Sequence, residues 1–148
     1  MPAPHRPQRD RYPVAVHLFF VSDGQVLLAR RANTGWGDGH YSVPAGHVDA
    51  GESVTAAAIR EAREEVGLHL RPEDFAVVHV MHRRSDDDRI DFFLAVARWE
   101  GEPTNCESHK CDDLRWFGLE ELPPNIIPYV RHALKCLGSG EVYSEFGW

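Results

Sequence analysis

One stretch limits what this chain can fold into more than any other. Gly46 is followed after five residues by Glu52, and after seven more by Arg60-Glu61, with Glu64-Glu65 and then Gly67-Leu68 completing the run. Ser53 is a good helix N-cap and Gly67 supplies the left-handed residue that closes a helix, so the spacing predicts a helix between them. Ala58, Ile59, Ala62 and Val66 form its apolar stripe. Glu61, Glu64 and Glu65 stand at i, i+3 and i+4 and share another side, which Ala57, one turn before Glu61, keeps low. Clustered glutamates on a helix ordinarily mark a solvated face. Carboxylates packed this closely also repel one another until cations neutralise them, and hard divalent ions such as Mg²⁺ or Mn²⁺ prefer such bare oxygens.

Around this stretch the pattern is that of one α/β domain. Residues 12–22 read as a buried strand, and Asp23-Gly24 is a turn leading to a hairpin partner at 25–31. Residues 33–40 carry three glycines and Trp36 and read as a loop. A short strand at 41–44 follows, confined to an edge or an end by Pro44, and then a loop from Gly46 to the helix. Strands are expected at 75–81 and 90–99, joined by a charged turn at 83–89, with a shorter strand at 113–117. Pro123-Pro124 breaks the chain before a second helix over 128–137, which Gly138 ends. The domain is thus expected over 12–138, after a flexible arm at 1–11 and before a tail at 139–148 that carries no placing signal.

At 148 residues the chain has room for one core and little more. Its formal charge of −7 argues against a nucleic-acid polymer as partner, which would need a basic stripe. A small anionic substrate is still compatible, since bound metals invert the local field. No apolar run is longer than a strand's worth, so no membrane partner is expected. The Pro- and Arg-rich start lacks the apolar segment of a secretory signal, which makes a cytoplasmic address the default. Cys106, Cys111 and Cys136 are odd in number and irregularly spaced, as reduced thiols are. His79 and His82, three apart on a strand, point to opposite faces, and His47 sits in the loop before the helix, so no histidine metal site is expected. Either a monomer or a homodimer is compatible with the chain.

The run from Gly46 to Leu68 resembles the Nudix box, the signature of the Nudix hydrolases, with each fixed position met. The resemblance implies an α/β (α+β) fold: a Nudix-type α/β/α sandwich with a mixed central sheet, a box helix and a C-terminal helix. It implies a metal-dependent enzyme, with Mg²⁺ or Mn²⁺ as cofactor, that cleaves a phosphoanhydride in a nucleoside diphosphate linked to a further group. Glu61, Glu64 and Glu65 match the metal-binding positions, with Glu61 or Glu64 doubling as general base. Arg60 and Glu52 match the positions that pair and orient those carboxylates. Gly46 lets backbone approach the metal, and the carbonyl of Ala45 matches a backbone ligand, although relatives often carry Gly-Gly where this chain has Ala45-Gly46.

A second likeness, to MutT-like members of the family, extends past the box. The segment Arg98-Trp99-Glu100-Gly101-Glu102-Pro103 is similar to theirs, and counting on from it puts Glu107 where they supply a further metal carboxylate, with Asp112 and Asp113 as fallbacks. Arg30-Arg31 resembles an Arg pair beside the nucleotide, or else faces solvent at a strand end. Pro123-Pro124-Asn125 is similar to a turn whose Asn reads the base, though Asn125 comes one residue early and serves equally as a helix N-cap. Trp36 and Tyr41 either stack a base or pack at core and rim. The MutT-like resemblance implies cleavage of a nucleoside triphosphate to monophosphate and pyrophosphate. ADP-ribose, nucleotide sugars and dinucleoside polyphosphates are the alternatives within the family, and a non-catalytic nucleotide sensor is the alternative outside enzymology.

Overall fold

Strand β1 (Val14–Ser22) is apolar on both faces, and for that reason it runs through the middle of the molecule. The structure is a computed structural model that describes residue 1 and residues 9–148; most of the arm expected at 1–11 lies outside the described residues. Asp23 and Gly24 both take positive φ, 51° and 74°, and turn β1 into β2 (Gln25–Arg31) as a two-residue hairpin. β3 (Tyr41–Ser42) pairs with β2, and β4 (Ala45–His47) pairs antiparallel with β1. Residues 46 and 47, expected in a loop, are strand because three positions suffice to continue the β1 ladder.

Helix α1 (Val54–Val66) follows. The Ser53 hydroxyl accepts from the Ala56 N–H at 3.0 Å, and Gly67, at φ 70°, closes the helix with its N–H on Ala62 and Arg63 carbonyls. Its buried side is Ala57, Ala58, Ala62 and Val66, with Ile59 only half-buried. Ala57, expected beneath an open acidic face, is wholly enclosed, because Glu61 one turn later points into the protein.

A 3₁₀ turn at Pro72–Asp74 leads into β5 (Phe75–Arg84) and β6 (Asp88–Val96). This hairpin reaches further into the charged segment than expected, since Arg84 and Asp88 pair across it at 3.4 Å. β6 lies parallel to β1, and β7 (Cys111–Gly118) is antiparallel to β2. Helix α2 (Pro128–Ser139) ends one turn's fraction later than expected, at Gly140 with φ 77°, while Gly138 stays within the helix. Beyond it β8 (Tyr143–Phe146) joins β5 in parallel, so the segment that carried no placing signal forms a sheet edge.

The sheet runs β3-β2-β1-β6-β5-β8, with β4 on β1 and β7 on β2, and is mixed. Val16, Leu18 and Phe20 of β1 pack under α1, and Phe19 packs under Val130, Ala133 and Leu134 of α2. The architecture is an α/β/α sandwich, and no helix among the described residues is long and apolar enough to cross a membrane.

Candidate active site

β4 brings the backbone to the box helix. The Leu18 N–H bonds the Pro44 carbonyl and the Val48 N–H bonds the Val14 carbonyl, each at 2.8 Å. By the alternation of an antiparallel ladder, Ala45 therefore turns its N–H and C=O away from β1, toward α1. The N–H donates to Glu65 Oε2 at 2.8 Å, and the carbonyl faces the same side. Next to it a β-carbon on Gly46 would overlap the Glu61 carboxylate, so only glycine leaves that carboxylate its place.

Arg60 organises the acids. Its Nε and Nη2 donate to the two oxygens of Glu52 at 2.8 and 2.9 Å, a bidentate fork. Nη1 reaches Glu61 at 2.7 Å and Glu64 at 3.3 Å, and Nη2 also donates to the His47 carbonyl at 3.0 Å. One guanidinium thus ties the loop before the helix to two of the three box carboxylates. The Arg60 hydrogen bonds hold the Glu52 carboxyl down at about 2, and Glu52, Glu61 and their charges raise Arg60 in turn.

Glu61 and Glu65 are different in kind. Burial pushes the Glu61 carboxyl up, against the pull of Arg60, and Glu64 and Glu107 add repulsion. Burial raises Glu65 well above its ordinary value, with Glu61 and Glu107 adding to it and the single Ala45 N–H opposing. Among the described residues no three His, Cys, Asp or Glu side chains are drawn into a closed metal cage. The donors still suit one: Glu61, Glu65, the outward Ala45 carbonyl and the half-exposed Glu64 offer hard oxygens around a deficit of positive charge, which is what Mg²⁺ or Mn²⁺ supplies.

These groups border a cleft of about 750 Å³. Glu107 lines it too, on a turn closed by its carbonyl accepting from Lys110 and Cys111 N–H at 2.8 and 2.9 Å, and its charge bears on Glu61 and Glu65. The fallbacks are occupied elsewhere: Asp112 pairs with Arg30 at 2.7 Å, and Asp113 with Arg115 at 2.9 Å and with the Tyr41 hydroxyl. A bulge interrupts the β2–β7 ladder at Arg30 and Arg31, and both residues line the cleft. Arg31 is braced by the Trp36 carbonyl at 2.7 Å and lies 5.2 Å from the Trp36 ring. Trp36 is half-exposed at the mouth, whereas Tyr41 is core.

Asn125 is not brought to the cleft. Its amide donates to the Gly39 carbonyl at 2.9 Å, and the N-cap of α2 is Ile127 rather than Asn125. His79 and His82 do face opposite ways, His79 into the core against Ser144 and the Glu141 carbonyl, and His82 beside Trp148.

Sequence reasoning missed one group. His17 Nε2 lies 3.1 Å from Asp91 Oδ1, and Arg83 Nε donates to Asp91 Oδ2 at 2.6 Å. Burial works to raise the Asp91 carboxyl, but the bonds from His17 and Arg83 outweigh it and hold it at about 2. The Arg83 guanidinium lies 3.7 Å from the centre of the Tyr129 ring. His17, Arg83 and Tyr129 all line the cleft. The only sequence signal was two polar residues, His17 and Asp91, each set in an apolar strand.

Known proteins resemble the chain in sequence and in fold. The model of the NUDIX domain matches residues 11–135. Phosphatase NudJ of Escherichia coli K12 is 29% identical over 143 aligned residues, which cover 91% of this chain and 92% of that one. A crystal structure of a MutT NUDIX hydrolase from Burkholderia pseudomallei matches with a TM-score of 0.78 and 27% identity, over 85% of this chain and 98% of the other. That of a MutT protein from Methanosarcina mazei Go1 gives a TM-score of 0.77 at 19% identity, over 90% and 97%, a likeness of fold. The chain belongs to the NUDIX family and is a Nudix pyrophosphohydrolase.

Proposed function

We propose that the enzyme hydrolyses a phosphoanhydride of a nucleoside triphosphate, releasing the monophosphate and pyrophosphate, with Mg²⁺ or Mn²⁺ held by Glu61, Glu64, Glu65 and the Ala45 carbonyl and assisted by Glu107. The observation that carries this is one cleft lined both by buried, mutually repelling carboxylates and by the Arg31 and Lys110 cations. Bound there, the ions supply positive charge for the phosphate oxygens and acidify the attacking water.

The chain's own residues do the rest. Arg60 keeps Glu61 oriented while Glu52 keeps Arg60 in place. Glu64 is the least restrained of the three acids, bonded among the described residues to Arg60 alone at 3.3 Å, and it accepts the proton of the water aimed in line with phosphorus. Arg31, pre-set by the Trp36 carbonyl and Thr34, grips a phosphate oxygen, and the cleft takes the nucleoside.

A second reading rests on the likeness to a phosphatase: cleavage at the terminal phosphorus, releasing inorganic phosphate. Both are separated by assaying kcat/KM for common and oxidised NTPs and dNTPs, ADP-ribose and nucleotide sugars with Mg²⁺, while resolving phosphate from pyrophosphate. Pyrophosphate from a triphosphate supports the first reading, and phosphate supports the second. A preference for ADP-ribose or a nucleotide sugar refutes both.

A further inference from the structure

Glu107 borders the cleft from the loop that joins β6 to β7, and its side chain is held by nothing of its own. Among the described residues the carboxylate makes no hydrogen bond and no ion pair. Repulsion from Glu61 and Glu65 would turn such a side chain toward solvent, so the backbone beneath it must set where it stands.

That backbone is anchored on both sides. Thr104 and Cys106 N–H donate to the Val66 and Glu65 carbonyls at 3.0 and 3.1 Å, two groups that the end of α1 leaves without helical partners. The loop packs so closely there that a β-carbon on Gly67 would meet Thr104 Oγ1 and Cys106 Sγ at 3.1 Å. Beyond Glu107, the Ala32 N–H and the Asn33 amide donate to the Lys110 and His109 carbonyls at 2.9 and 3.0 Å. The residue that carries the Glu65 carboxylate thus also anchors the Glu107 loop, through its backbone.

Asn105 closes the turn between these anchors. Its Oδ1 accepts from the Glu107 N–H at 3.1 Å and its Nδ2 donates to the Cys111 carbonyl at 2.7 Å. One end of the bridge must accept and the other must donate, which a carboxamide does and a carboxylate does not. Asn105 is exposed, so water competes for both bonds and they add little to the stability of the fold. Their consequence is geometric: they fix the direction in which the chain leaves Glu107.

We propose that Asn105 is a positioning residue for metal binding, its carboxamide setting the Glu107 turn so that this carboxylate bears on the same cation as Glu61 and Glu65. The inference rests on the reading of Glu107 as a metal carboxylate and deepens it. Asn105 touches neither ion nor substrate and acts only through Glu107.

Electron paramagnetic resonance of free Mn²⁺, titrated into chelator-stripped protein without nucleotide, tests this without any hydrolysis. Glu107→Gln and Asn105→Ala should each weaken Mn²⁺ binding about tenfold, the scale on which residues that orient metal ligands act. The double variant should bind no more weakly than Glu107→Gln alone, because Asn105 then has nothing left to position. Losses that add in the double variant would mean that Asn105 merely stiffens the loop, and they overturn the proposal. So does wild-type affinity in Asn105→Ala beside weakened binding in Glu107→Gln, which leaves the reading of Glu107 standing. Full affinity in Glu107→Gln, or no Mn²⁺ uptake by the wild type, removes that reading and the inference with it.

Discussion

Gly46→Ala separates the site's chemistry from the fold's stability. Gly46 lacks a positive φ, so the backbone accepts alanine, but the new β-carbon would overlap the Glu61 carboxylate. To restore an ordinary separation near 3.5 Å that carboxylate must retreat by about 1 Å or more. It cannot simply swing out, because Arg60 Nη1 holds it at 2.7 Å and the residue is buried. Overpacking of this kind costs about 1–3 kcal/mol, and replacing a strand glycine returns about 0.5–1. The net loss of about 1 kcal/mol lowers Tm by roughly 3 °C for a domain of this size. Displacing a group that positions the reaction by about 1 Å lowers kcat by about 10²-fold. Thermal melts and saturating kinetics with Mg²⁺ therefore diverge, the fold barely affected and the turnover nearly lost. A Gly46→Ala enzyme that keeps wild-type kcat refutes the reasoning, as does one whose activity loss merely tracks its unfolding.

The other expectations concern the acids themselves. Glu64→Gln removes the proton acceptor and lowers kcat by about 10²-fold or more, read by steady-state kinetics at saturating substrate. Arg60→Lys cannot span Glu52, Glu61 and the His47 carbonyl at once, and lowers activity or metal affinity by about 10- to 100-fold. Glu61 and Glu65 are raised above the ordinary carboxylate value of 4.5, so between that value and their folded ones the native state binds more protons than the unfolded. Their contribution to metal-free stability is accordingly favourable below the unfolded value and lost as pH rises through the folded ones. Divalent binding must strip those protons, so its affinity rises with pH across the same window, and calorimetry in buffers of different ionisation enthalpy should register proton release.

The box helix was legible because its determinants are local: Ser53 and Gly67 cap it by their own backbone preferences, and the acid spacing is a property of one helix. The Asp23-Gly24 hairpin was legible for the same reason. What the sequence hid depends on distant partners. Ala45 faces α1 only because the β1 ladder sets its parity, and Asp91 meets His17 across 74 positions of chain. Gly138 and Gly140 are equally good stops by type, and packing of α2 against the sheet decided between them. β8 is a strand only because β5 offers an edge. Asn125 is another such case, its amide reaching the Gly39 carbonyl across 86 positions of chain.

The central claim is that the carboxylates on α1 hold divalent cations without which the anhydride is not cleaved. Phosphorus NMR of a nucleoside triphosphate reaction in oxygen-labelled water, with Mg²⁺ titrated into chelator-stripped enzyme, tests it most directly. No cleavage without the ion, saturable recovery with it, and label appearing in one phosphorus product are the expected results. Cleavage that persists under chelator, or no cleavage of any nucleotide at saturating Mg²⁺ and Mn²⁺, would contradict it.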